Sequence, residues 1–273
     1  MRPPRPDIAV PPIPSLDWIG RPVESIERLV TARPVLVHFF DIAQLNSVRT
    51  LPYLRAWQKR YEGDGLAMIG VHAPRFPFTQ DPQVVACAAE RLGIEWSIAL
   101  DPEFVLWRLY EPHGWPALFL WGQGGALRWY QLGEGEYQAT EELIRETLVE
   151  TGIEADWPPL LDALRPSDVS GALVIAPTEE LFPGGSTEDP WPSTDTDRRL
   201  DLNYEAGGAY AATDGEGEIA IRLDGEERAP IVVDAPGLQE LTVHERTQKH
   251  RLELEPSPGL LIYSVQFAAG IPG

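Results

Sequence analysis

Four residues, Gln44-Leu45-Asn46-Ser47, stand where a buried strand should give way to a helix, and the chain's chemistry is best judged there. The apolar run Val35–Phe40 leads in, and Val48, Leu51, Leu54 and Trp57, spaced by threes, mark one face of a helix leading out to about Tyr61. A Cys-x-x-Cys pair at such a junction would have its first thiol activated, because a helix N-terminus favours the thiolate. Gln44 and Ser47 cannot exchange a disulfide, and the chain holds one cysteine, Cys87. The junction keeps a set of backbone N–H donors suited to an anion or a carboxylate. The competing expectation is that Asn46 and Ser47 simply cap the first turn.

Other residues of chemical interest are weaker. Cys87 sits beside Glu90 and Arg91, several residues into a helix. A peroxidatic or sensor thiol needs an electropositive, accessible setting, usually a helix start. His38 lies inside an apolar strand and reads as a hydrogen-bonded core histidine. The acidic stretch 187–197, with Glu188, Asp189, Asp195 and Asp197, offers oxygen ligands but lacks the spacing and glycine of a calcium loop. A solvated linker is the expectation there, and no metal or other cofactor is expected anywhere. Tyr204, Tyr210 and Tyr263 could stack on sugar rings, although aromatic residues are equally expected on half-buried strands.

The 273 residues carry 22 Lys/Arg against 42 Asp/Glu, a net charge of −20. Residues 1–151 hold 14 basic and 19 acidic side chains; residues 152–273 hold 8 and 23. Phosphate backbones and anionic membranes need a cationic face, so neither is an expected partner. One cysteine excludes an internal disulfide framework and a multi-thiolate metal site. Residues 1–6 start basic, but Pro11, Pro12 and Pro14 break any apolar run behind them. No signal peptide or membrane span is expected, and a cytoplasmic location follows as an expectation.

The elements that position these residues alternate in type. After the first strand and helix, residues 66–72 form a second buried strand, and Asp81-Pro82 opens a helix with Asp81 as N-cap. Val85, Ala88, Ala89 and Leu92 form its inner face. A short strand at 98–100, a helical turn at 104–110, a hairpin across Gly124-Gly125 and a closing helix at 140–149 complete residues 1–151. Pro52 within the first of these helices predicts a kink. Residues 152–197, rich in Pro, Gly, Ser, Thr and acid, read as a surface-wrapping linker. Residues 198–273 show short alternating strands, among them 200–204, 209–213, 238–244 and 250–254, which predict a small antiparallel β-sandwich.

Particular stretches carry a resemblance: Arg49-Thr50-Leu51-Pro52-Tyr53, Ile69-Gly70-Val71-His72, Gly114-Trp115-Pro116-Ala117 and Gly133-Glu134-Gly135-Glu136-Tyr137. Residues 15–151 resemble a TlpA/redoxin-type thioredoxin domain, most closely the soluble C-terminal part of DipZ-type proteins. The resemblance implies an α/β thioredoxin-like sandwich followed by a small all-β unit of jelly-roll or carbohydrate-binding-module type. The tail resembles a shortened version of the latter through Gly215-Glu216-Gly217 and residues 260–267. It also implies that Gln44 and Ser47 replace the family's cysteines and that Trp115-Pro116 takes the place of its cis-proline. His72, His113, Glu134 and Glu136 would then line one rim. A hydrolytic Ser47–His72–Glu136 set or a His/Glu metal site would need a signature spacing, and none is present.

The expected function is therefore a non-catalytic peptide- or thiol-binding or scaffold module. Its groove would be bounded by Gln44, Asn46, Ser47, His72, Trp115, Pro116, Glu134 and Glu136. The alternatives are a cysteine-poor thiol-conjugating or peroxide-related enzyme, for which Cys87 is the redox candidate, and glycan binding through the β unit.

Overall fold

The computed structural model describes residues 8–192 and 198–273, with the main chain only at Glu245. Residues 1–6, Asp195 and Asp197, read above as a basic start and part of an acidic run, lie outside the described residues. In chain order the elements are β1 (Asp17–Ile19), α1 (Ile26–Ala32), β2 (Val35–Phe40), α2 (Leu45–Tyr61), β3 (Ala67–His72), α3 (Pro82–Arg91), β4 (Ser97–Leu100), α4 (Val105–Tyr110), β5 (Ala117–Trp121), β6 (Leu127–Leu132) and α5 (Tyr137–Val149). Five strands follow: β7 (Leu200–Asp214), β8 (Gly217–Leu223), β9 (Glu226–Val233), β10 (Gly237–Pro256) and β11 (Leu261–Ala268).

Two compact units divide the chain. The first holds residues 1–41, 49–74 and 89–163, and the second holds residues 42–48, 75–88 and 164–273. The first is a thioredoxin-like α/β unit built on a six-stranded sheet ordered β1-β4-β3-β2-β5-β6. Strands β2, β3 and β4 are parallel, and β5 and β6 return antiparallel across Gly124 and Gly125, both at positive φ. Every residue of β2 is buried, as a central strand covered on both faces requires. Leu36 faces Leu54, Trp57, Trp96, Leu118 and Ile144 on one side; Val35, Val37 and Phe39 face Ile69, Leu106, Phe119 and Trp121 on the other. At the other helices, Ser25 Oγ accepts from Arg28 N to start α1, and the Asp101 carboxylate accepts from Val105, Leu106 and Trp107 to start α4. The strand β1 and helix α1 carried too few periodic residues to stand out in the sequence.

The second unit is a curled, all-antiparallel five-stranded sheet ordered β11-β7-β10-β8-β9. Leu202, Tyr204, Ile219, Ile221, Leu252, Leu254 and Val265 line its inner face. Two corrections belong here. The strands expected at 200–204 and 209–213 are one strand, β7, because small Ala206 and Gly208 carry the ladder on either side of Gly207 while breaking the apolar alternation. Those at 238–244 and 250–254 are likewise one strand, β10, with the intervening residues taken up by a register shift. Within the stretch 152–197 the boundary between the two units falls after residue 163. The later part of the stretch pairs with the edge of β11 through Leu181–Val265 and Trp191–Ile262 bridges, covering an edge that would otherwise be open. Among the described residues, no helix is long and apolar enough to cross a membrane.

Candidate functional site

The start of α2 belongs by its contacts to the β-sheet unit. Ala43 packs with Phe76, Phe78, Ala212 and Tyr263, and Leu45 packs with Tyr210 and Ala268. Between these apolar contacts lies a polar clamp. Gln266 of β11 accepts from Leu45 N through Oε1 at 2.7 Å and donates from Nε2 to Ala43 O at 2.7 Å. The same Nε2 lies 3.1 Å from Ser264 Oγ, and Gln266 is 3% exposed. Gln44 supplies the remaining cap: its Oε1 accepts from Ser47 N at 2.7 Å and its carbonyl accepts from Val48 N. Two of the first-turn donors, Leu45 N and Ser47 N, are thus met by two glutamines. Ser47 is fully buried.

The donors that make a helix N-terminus an anion site are the first-turn N–H groups. Here Leu45 N and Ser47 N each have a side-chain carbonyl partner. An amide side chain satisfies such donors without bringing charge, and a glutamine that both accepts and donates fixes the backbone on either side of Gln44.

The remaining candidates lie in the α/β unit, except Cys87, which belongs to the β-sheet unit. His72, at the end of β3, is buried, with Nε2 3.6 Å from Asp41 Oδ2. Burial holds its imidazole below the usual range, against an opposing pull from Asp41. Glu134 is paired with Arg49 Nε at 2.8 and 3.1 Å. Glu136 is exposed, has φ 53°, and precedes α5, where its carbonyl accepts from Thr140. The Trp115–Pro116 bond is cis; Trp115 Nε1 donates to Ala73 O at 3.0 Å, and its ring lies 4.5 Å from Trp107. His113 is exposed at φ 55°. Cys87 is exposed on α3.

Two sequence expectations are corrected by burial. His38 is fully buried, and neither ring nitrogen has a hydrogen-bond partner. It stacks on Phe40 at 4.9 Å, and burial pushes its imidazole down to about 3, so it is neutral across the physiological range. Tyr204, Tyr210 and Tyr263 are all buried, so none offers a ring face to a sugar. No group of three or more His, Cys, Asp or Glu able to hold a metal occurs among the described residues. The feature that sequence reasoning missed is Gln266, a polar residue on a strand of alternating pattern, with no local signal linking it to a loop 221 residues away.

Comparison with known proteins gives a consistent frame. Protein DipZ of Mycobacterium bovis is 27% identical over 92% of this chain, and the chain spans 41% of that relative's length. Thiol-disulfide oxidoreductase YkuV of Bacillus subtilis is 27% identical over 49% of this chain and 89% of its own length. Among solved structures, the thioredoxin-like superfamily protein SPOA0173 matches 54% of this chain and 99% of its own at 17% identity, with a TM-score of 0.48. No family model matches the chain.

Proposed function

Taking the chain as a thioredoxin-like, DipZ-related protein with a single cysteine, we propose that it is a non-catalytic scaffold or binding module that neither exchanges disulfides nor activates a thiolate. The observation that carries this reading is the clamp at the start of α2. The donors that would stabilise a thiolate are occupied by Gln44 and Gln266, and the segment is packed as part of the β-sheet unit. In this reading the former redox loop is a structural segment of the β-sheet unit, and any peptide or thiol partner is met by the stretch around Trp115-Pro116 rather than by α2's first turn.

The test is thiol-dependent reduction of insulin. The unmodified chain is expected to run at background, and activity above background would sink the proposal. The double variant Gln44→Cys, Ser47→Cys is expected to stay poor, because Gln266 still holds the backbone that a thiolate would need. Adding Gln266→Ala is expected to raise its rate. The cysteine-based alternative finds no support at Cys87, which lies beyond the first turn of α3, where the helix dipole has little effect.

A further inference from the structure

The β10–β7 ladder holds an irregularity with a built interior. Val243 lies opposite Gly208, the next pair is Gln248 with Ala206, and residues 244–247 bulge between them. The bulge brings His244 back over His250, with ring centroids 4.5 Å apart and planes 26° from parallel.

The two imidazoles have different partners. His250 Nδ1 lies 2.7 Å from Asp224 Oδ2, in the turn between β8 and β9, and Nε2 lies 3.0 Å from Gln248 Oε1. Each ring nitrogen of His250 thus faces an oxygen. His244 Nε2 instead lies 2.9 Å from the Tyr204 hydroxyl, which also meets Thr242 Oγ1 at 2.8 Å. That chain of neutral groups suits a neutral ring. Burial, and then the neighbouring His250, hold His244 below the usual imidazole range.

The charges around the pair are otherwise matched. On β10, Lys249 pairs with Glu205 of β7 at 3.5 Å, and Arg251 pairs with Asp201 of β7 at 2.5 Å. Asp224 is the carboxylate that meets His250. From β11, the face against Tyr204 is the uncharged ring of Phe267, at 5.2 Å. The bulge also holds a further segment. Thr247 N donates to Ile271 O at 2.8 Å and Arg246 Nη1 donates to Pro272 O at 2.7 Å. A Cβ at Gly270 would lie 2.9 Å from Thr247 N, so the approach requires glycine.

We propose that the His244–His250 stack is an acid-sensitive latch: the stacked rings hold the bulge closed, and charge on both rings opens it and frees residues 270–272. Two stacked cations repel, so the second proton is taken up more readily once the rings separate. Opening therefore follows acidification below neutrality, where a displaced His244 regains its ordinary proton affinity.

The experiment is amide hydrogen exchange on the full chain at pH 7.5, 6.5 and 5.5, with times scaled for the intrinsic pH dependence of exchange. Protection over residues 244–249 and 270–272 is expected to fall about tenfold for each pH unit in which the open form binds one more proton. His244→Gln, uncharged at every pH and still able to meet Tyr204, is expected to keep its protection at pH 5.5. Constant protection in the unmodified chain, or an equal loss in His244→Gln, would overturn the latch. If that variant folds poorly, imidazole NMR of His244 in the unmodified chain decides: a midpoint below the usual imidazole range that coincides with the loss of protection supports the latch, and loss of protection unrelated to that midpoint overturns it.

Discussion

At the residue scale, a few buried polar side chains do more than their number suggests. Gln266 makes two 2.7 Å bonds to backbone from a buried position, and removing it strands a donor and an acceptor. Each stranded group costs about 1–3 kcal/mol, so Gln266→Ala is expected to lower unfolding free energy by roughly 2–4 kcal/mol, measurable by urea titration. His38 acts through pH. Its folded value of about 3 lies below its ordinary 6.5, so in that window the unfolded chain binds the extra proton. Stability should therefore be full above about pH 6.5 and fall on acidification at up to about 1.4 kcal/mol per pH unit. His72, also held low, adds to the same slope. Equilibrium unfolding of His38→Phe, compared with the unmodified chain at pH 7 and 5, should show a shallower loss. The core role of His38 was legible from its apolar strand; its lack of hydrogen-bond partners was not, since that depends on which side chains cross the sheet above it.

At the element scale, the segment after α5 shows how a loop becomes structural. Trp157 Nε1 donates to Asp64, Arg60 and Arg145 donate to the carbonyls of Pro159 and Pro158, and Leu161 N donates to Glu141. Glu141 is fully buried and also accepts from the Tyr61 hydroxyl at 2.5 Å. Burial pushes its carboxyl up, and the bonds from Tyr61, Leu161 and Arg60 outweigh that, holding it below the usual range. Glu141→Ala leaves Arg60 and Arg145 facing an emptied site and is expected to cost about 3–5 kcal/mol, read as a lower denaturation midpoint. In the sequence, Trp157, Leu160 and Leu161 are apolar residues in a polar stretch, a signal that it packs, whereas the acid on α5 that receives it looks like any helical glutamate. The alternating elements of the first half were legible because each strand is an unbroken apolar run and each helix repeats by three and four. Strands β7 and β10 were not, because glycine and alanine in one and a histidine-containing bulge in the other interrupt the pattern without ending the ladder.

At the scale of the whole molecule, the charge of −20 is a standing repulsion that salt screens. Thermal scans at neutral pH should show the midpoint rising between 0.01 and 0.15 M NaCl, by roughly a few degrees; an unchanged midpoint would mean the acidic side chains are already locally compensated. The division of the chain has a different consequence, in time rather than in energy. Residues 42–48 and 75–88 lie early in the sequence, yet they belong to a unit whose strands begin at Leu200. As a chain emerges N-terminus first, Leu45 is made long before Gln266, its partner 221 residues further on. At about 5–20 residues per second the loop waits some tens of seconds for its clamp. During that interval Ala43, Leu45, Phe76 and Phe78 have no sheet to cover them, which makes the unfinished chain a natural client for whatever shields apolar surface during synthesis.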